Sequence, residues 1–222
     1  MKKTLLLTTL LFLSGVYGST LSAQNEPPKD LPNFLFPEFT KATIKLKQGN
    51  EYAATLNYNL IDEEMVFVQG DTYMVLDNPQ EIDTITVGGR KFVPYEKSFY
   101  ELVFHDSITL FVQYKSTLEP VGNSGAYGST SQSSTTYYRR QIYGPIGSVK
   151  LSVPDNMKIT SENSYWVSKS AGLEKFSNKK QFIKLFKDKE KELDKYCSSQ
   201  KVNFKKVEDV IQLINYCNSL FK

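Results

Sequence analysis

From Lys41 to Lys115 apolar and polar residues alternate at the spacing of a pleated strand, and turn residues punctuate the alternation. The clearest run is Glu51–Leu60. Tyr52, Ala54, Leu56, Tyr58 and Leu60 fall on one parity, and Thr55, Asn57 and Asn59 on the other. Successive side chains of a strand point to opposite faces, so the two sets occupy opposite faces of one strand. Ala42, Ile44 and Leu46 repeat the pattern upstream, with Gly49-Asn50 as the turn between the two strands. Downstream, Asp62-Glu63 turns into a strand at Met65–Val68, and Gly70-Asp71 turns into another at Tyr73–Leu76. Asn78-Pro79 interrupts the run, because proline disfavours a helical residue before it. Ile82–Val87 and Lys91–Pro94 flank Gly88-Gly89, a hairpin signal that relies on glycine's tolerance of positive φ. Ser98–Phe104 and Ile108–Lys115 flank Asp106-Ser107. Strands with apolar groups on both parities, such as Phe99, Tyr100, Leu102, Val103 and Phe104, are expected to be buried on both faces.

The pattern changes twice after this block. Residues 116–136 hold Gly122, Gly125 and Gly128 among many serines and threonines, a composition that predicts a long mobile loop. Tyr127, Tyr137, Tyr138, Arg139 and Arg140 decorate the loop and its exit. Tyrosine and arginine offer amphipathic area and directional donors, so these five are the candidate binding residues. The alternative is a solvated loop whose aromatics dock on the sheet. Strand signals resume at Ser148–Val153 and, after the turn Pro154-Asp155-Asn156, at Tyr165–Ser168. The second holds the only tryptophan, Trp166, expected in the core or at its edge.

Helical spacing then takes over. Ser177 is a candidate N-cap. Phe182, Leu185, Phe186, Lys189, Leu193 and Tyr196 follow at helical spacing and, Lys189 aside, form one apolar stripe, with Asp188 as a candidate interruption. Val207, Val210, Ile211, Ile214, Cys217 and Phe221 form a second. Together these patterns predict a mainly β (α+β) fold. Residues 41–170 make an antiparallel meander, sandwich or partly closed barrel, and residues 174–222 a lysine-rich helical segment.

The first residues have a different origin. Met1-Lys2-Lys3 is basic, Thr4 to about Val16 is leucine-rich, and Ser19–Ala23 ends in small residues. That order is the layout of a secretory signal peptide, with Ala23 as the last residue before cleavage. The segment is too short for a membrane-spanning helix, and no later run is long and apolar enough for one. No cysteine lies near the cleavage point, so no lipid anchor is expected. The expected location is the periplasm or the cell surface. Residues 24–40, with Pro27, Pro28, Pro32 and Pro37, read as an extended tether.

Charge and reactive residues narrow the functions further. Loss of Lys2 and Lys3 takes the formal net charge from +3 to near +1, which argues against a nucleic-acid partner. The helical segment is basic locally, with ten lysines against four carboxylates between Lys179 and Lys206. This is either a docking face for an anionic polymer, lipopolysaccharide or partner protein, or a solvated surface with pairs such as Lys184–Asp188 and Glu192–Lys195. The only histidine, His105, stands beside Asp106 and Ser107, but adjacent strand residues diverge and cannot converge as a triad. No metal-ligand set, phosphate-binding loop or cofactor motif is present, so no cofactor, metal or catalytic residue is assigned. Cys197 and Cys217 are expected to be free and buried, because an antiparallel helix hairpin would hold them too far apart to bond.

Three blocks carry a resemblance. They are Leu56-Asn57-Tyr58-Asn59-Leu60 with Glu63-Glu64-Met65-Val66-Phe67; Ile82-Asp83-Thr84 with Arg90-Lys91-Phe92-Val93-Pro94 and Phe99-Tyr100-Glu101-Leu102; and Gly125-Ala126-Tyr127-Gly128-Ser129-Thr130-Ser131. With the lysine-rich tail they resemble a family of uncharacterised exported proteins of Bacteroidetes-type bacteria. The resemblance implies export and a sheet-plus-helices layout, and it transfers no catalytic residue. The leading expectation is an exported, envelope-associated, non-enzymatic binding protein whose partner is an envelope protein or a glycan. The alternatives are a glycan-acting hydrolase using carboxylates such as Glu64 and Glu101, and a scaffold that docks a partner through its basic helices.

Overall fold

The computed structural model describes residues 30–104, 108–121, 151, 153–154, 157–169 and 172–221. The strands are β1 (Thr40–Leu46), β2 (Glu51–Asn59), β3 (Glu64–Gln69), β4 (Thr72–Val75), β5 (Ile82–Val87), β6 (Arg90–Tyr95), β7 (Ser98–Phe104), β8 (Thr109–Gln113), β9 (Ser116–Pro120), β10 (Met157–Ser161), β11 (Ser164–Lys169) and β12 (Gly172–Phe176). Ten of them form one antiparallel sheet in the order β12-β11-β8-β7-β6-β5-β1-β2-β3-β4, and β9 and β10 form a separate ribbon. The sheet is open, with β12 and β4 as its edges. The fold is therefore mainly antiparallel β with a C-terminal helical segment.

The alternation in the sequence becomes a continuous row of side chains across the sheet. Ile44 pairs with Ile85, Ile85 with Phe92, and Phe92 with Glu101. Glu101 pairs with Val112, Val112 with Tyr165, and Tyr165 with Phe176. Every member of this row is buried, and Glu101 is its one charged residue. Gly88 and Gly89 both take positive φ in the β5–β6 turn, as a two-residue hairpin of this twist requires. A Cβ at Gly88 would stand 2.8 Å from the Phe36 ring, so a side chain at that position would force the ring to shift.

The sheet coils around this face. The Tyr58 hydroxyl on β2 donates to the Tyr114 carbonyl just past β8, at 3.1 Å. The Ser116 amide donates to the Leu60 carbonyl at 2.7 Å. Strands five places apart in the sheet are thus joined without forming a ladder between them.

Three helices cover the coiled face: α1 (Lys179–Leu185), α2 (Glu190–Ser199) and α3 (Val207–Ser219). Phe182, Leu193, Val210, Leu213, Ile214 and Cys217 pack with the sheet row in one core. A 3-10 turn at Lys187–Lys189, with Asp188 at its centre, separates α1 from α2. Asn178 caps α1 by accepting from the Gln181 amide, while Ser177 bonds the Gln181 side chain instead of serving as the cap. The buried Asn218 side chain joins α3 to the sheet through the Ile108 amide and carbonyl. Cys197 and Cys217 are buried and unbonded to each other. No helix among the described residues is long and apolar enough to cross a membrane.

Several elements differ from the sequence pattern. Residues 31–39, in the stretch read as a tether, lie packed on β2. Leu31, Phe34 and Phe36 are buried, and Phe34 bridges to Asn59. The anchor is Asn57, which accepts from the Phe36 amide and donates to the Phe36 and Glu38 carbonyls. Asn57 and Asn59, on the polar parity of β2, are therefore buried too, while Thr55 stays exposed. Val66, Leu31, Phe34 and Leu151 form a second, smaller core there, with Leu118 of β9 against it. Residues 116–120, read as the start of a loop, are strand β9, paired with β10. Leu151 and Val153 lie outside any strand, and β10 and β12 were not evident in the sequence pattern.

Candidate functional site

The five loop residues Tyr127, Tyr137, Tyr138, Arg139 and Arg140 lie outside the described residues, as do His105, Asp106 and Ser107. The face of β6, β7, β8 and β11 opposite the helices carries a cluster of aromatic and polar side chains. Leu102 pairs with Phe111, Phe111 with Trp166, and Trp166 with Lys175, so these four side chains share that face.

Three rings meet on it. Tyr95 and Tyr100 stack with centroids 4.9 Å apart, Tyr100 and Trp166 stack at 5.5 Å, and Tyr95 and Trp166 tilt together at 5.6 Å. Tyr100 is buried beneath the group, while Tyr95 and Trp166 are half-buried. The Lys175 ammonium sits 5.3 Å from the indole centre, within the range of a cation–π contact. The rings converge because each lies on the same parity of strands that pair in order. Their sequence separation hid that arrangement.

A row of polar groups borders the rings. The indole N–H donates to the Gln113 Oε1 at 3.2 Å. The Gln113 amide nitrogen donates to one Glu63 carboxylate oxygen, and the Lys115 ammonium donates to the other at 2.7 Å. Glu63 is buried, and its backbone is left-handed, at φ 60°. A non-glycine residue held there costs on the order of 1 kcal/mol or more, and such strain concentrates where a site needs a particular side chain. Glycine or asparagine would suit the turn better; glutamate supplies the carboxylate that Gln113 and Lys115 hold. Burial, and next the Glu63 charge, hold the Tyr100 phenol well above its ordinary range, so it remains a neutral hydroxyl.

The other buried carboxylate has a different environment. Both oxygens of Glu101 are occupied by Arg90, Nε to Oε1 and an Nη to Oε2 at 2.7 Å each, and Tyr114 also donates to Oε2 at 2.7 Å. The Arg90 guanidinium lies among the rings of Tyr114, Phe36 and Phe92, 4.8 to 5.6 Å from their centres. Glu101 faces the helical core. Glu64 precedes core-facing Met65 and so projects to the opposite side. The structure does not bring this pair together across a cleft. Among the described residues no three His, Cys, Asp or Glu side chains cluster as a metal site.

No protein-family model, curated protein or solved structure matches the chain.

Proposed function

We propose that this is an exported, envelope-associated, non-enzymatic binding protein, and that the Tyr95–Tyr100–Trp166 face takes a carbohydrate. The observation that carries the reading is the pairing of a three-ring platform with the Glu63–Gln113–Lys115 row. An aromatic face is electron-rich, and the axial C–H groups of a sugar ring carry partial positive charge, so the two stack without a formal ion pair. A carboxylate, an amide and an ammonium in a row supply acceptors and donors for vicinal hydroxyls, the few placed polar groups that orient a ligand on an apolar surface. The bound sugar displaces the flexible Lys175 ammonium from the indole. Export is supported by the order of basic, leucine-rich and small residues at the N-terminus.

Because Trp166 is the chain's only tryptophan, its emission reports on the platform alone. Titration with size-fractionated envelope polysaccharides is expected to shift that emission saturably. Tyr95→Ala and Glu63→Gln are each expected to weaken binding about ten-fold, or about 1.4 kcal/mol. Affinities equal to wild type in both variants would remove the platform as the site. New reducing ends appearing during the titration would overturn the non-enzymatic part.

A further inference from the structure

The helical hairpin carries a second surface, on elements separate from the platform and independent of its reading. Between Lys179 and Lys206 stand ten lysines and four carboxylates, a net of six positive charges. The chain as a whole is only +3, so everything outside this segment is net negative by three charges. The segment is thus the net positive part of the chain, and a negative surface would attract it.

Within that segment, Lys179, Lys180, Lys184 and Lys187 line a groove of about 540 Å³ with Ile183, Glu190 and Asp194. Asp194 is occupied by Lys179, at 2.7 Å, in a bridge that closes α1 against α2. Lys180, Lys184 and Lys187 have no ion-pair partner among the described residues. The Lys184–Asp188 pair suggested by spacing does not form, because α1 ends at Leu185 and the helical i,i+4 geometry ends with it. Glu192 and Lys195 do not pair either. Just past α3, Phe221 packs on Phe186, the residue before Lys187, with centroids 6.0 Å apart, and leaves 46% of its surface in solvent. It is the one large exposed apolar side chain among described residues 172–221.

Unpaired ammonium groups, with an exposed phenylalanine packed on the residue that precedes Lys187, match a bilayer surface: phosphates outside, acyl boundary just beneath. We propose that the α1–α2 hairpin docks on membranes containing anionic phospholipid. Lys180, Lys184 and Lys187 meet the phosphates, and Phe221 enters the interface.

Co-sedimentation of the full chain with phosphatidylglycerol/phosphatidylcholine vesicles, and with phosphatidylcholine vesicles alone, tests this. The leucine-rich N-terminus is common to all variants, so differences between them isolate the hairpin. Binding to the anionic vesicles is expected to fall about five-fold per lysine in Lys180→Gln, Lys184→Gln and Lys187→Gln, on the order of a hundred-fold when all three are combined. It is expected to weaken as salt rises from roughly 0.05 to 0.5 M, because the Debye length shortens past the contact distance. Phe221→Ser lowers binding to anionic vesicles while leaving its salt slope unchanged. Unchanged thermal melts would confirm that these surface variants are folded. Equal partitioning of wild type and the triple variant would overturn the proposal. So would lysine-dependent capture by a soluble anionic polysaccharide with no vesicle binding, which would assign the surface to a polymer.

Discussion

The buried phenols make the fold sensitive to alkali in a way that follows from geometry. Tyr58 is fully buried and donates to the Tyr114 carbonyl. Burial raises its phenol far above the ordinary range, and the nearby charges of Glu63 and Glu64 add to the effect. Burial likewise raises Tyr114, whose hydroxyl faces the Glu101 carboxylate, so ionisation would set two anions in contact; Arg90 offsets this only in part. In the unfolded chain both phenols ionise near about pH 10. Below that pH both states hold the protons and stability is intact. Above it the unfolded chain releases protons that the folded chain keeps, so the equilibrium shifts toward unfolding. Each retained proton costs the fold about 1.4 kcal/mol at pH ~11 and about 2.7 at pH ~12. Tyr58 and Tyr114 together therefore remove roughly 5 kcal/mol by pH ~12, the lower end of what a domain has. Tyr165, whose hydroxyl donates to the Phe204 carbonyl and whose phenol burial pushes up to about 12, acts in the same direction.

Tyrosinate absorbance and far-ultraviolet circular dichroism, recorded on the same samples from neutral pH upward, check this. Of the fourteen tyrosines, the accessible ones are expected to titrate smoothly near pH ~10. The rest should ionise in a step that coincides with loss of the strand signal. Tyr114→Phe should reduce the steepness of stability against pH by one proton, since Glu101 keeps its Arg90 partner. A single smooth wave of all phenols with an unchanged dichroism spectrum would refute the reasoning.

Two substitutions test the polar contacts that hold the coil. Asn57→Ala orphans the Phe36 amide and carbonyl and should cost about 2–4 kcal/mol in urea unfolding; a change under ~1 kcal/mol would show that residues 31–39 are held on β2 by their aromatic side chains alone. Arg90→Met leaves Glu101 charged and buried and should cost about 3–5 kcal/mol, whereas Arg90→Met combined with Glu101→Leu should cost less than Arg90→Met alone does. A double-mutant cycle with no coupling would contradict the contact.

How much of this was legible depends on how far apart the interacting residues stand in sequence. Strands β1 to β8 are consecutive hairpins or short connections, so alternation plus turn residues at Gly49, Gly70 and Gly88-Gly89 nearly defined them. The break between α1 and α2 falls at Asp188, the candidate interruption of the apolar stripe. Strand β9 was not visible. Its residues are mostly polar, and its partner begins 37 residues after it ends, so no local pattern distinguishes it from a loop. Strand β12, Gly-Leu-Glu-Lys-Phe, has too few apolar groups to stand out and takes its register from β11. Asn57 looked like the polar side of an amphipathic strand; its role appears only when residues 31–39 fold back onto it. The candidate platform needed the same long-range knowledge, since Tyr100 and Trp166 come from β7 and β11 with β8 between them.

The contacts missed by pattern reading share a physical role. Backbone ladders join neighbours in an open sheet, and they stop where the coil brings non-neighbours together. At that seam, beside the single Ser116–Leu60 backbone bond, the chain uses side chains: the Tyr58 hydroxyl reaches past β8, and Glu63, just before β3, grips Gln113 and Lys115. Side-chain bridges can be placed without the strict two-residue register of a ladder, so they tolerate a turn held at positive φ such as Glu63. The polar row beside the three rings is thus the fastening of the coil as well as the border of the platform. A ligand that competes for the Glu63 carboxylate must replace what Gln113 and Lys115 give it, which favours ligands rich in neutral donors, such as hydroxyls, over anions that would sit against a buried carboxylate.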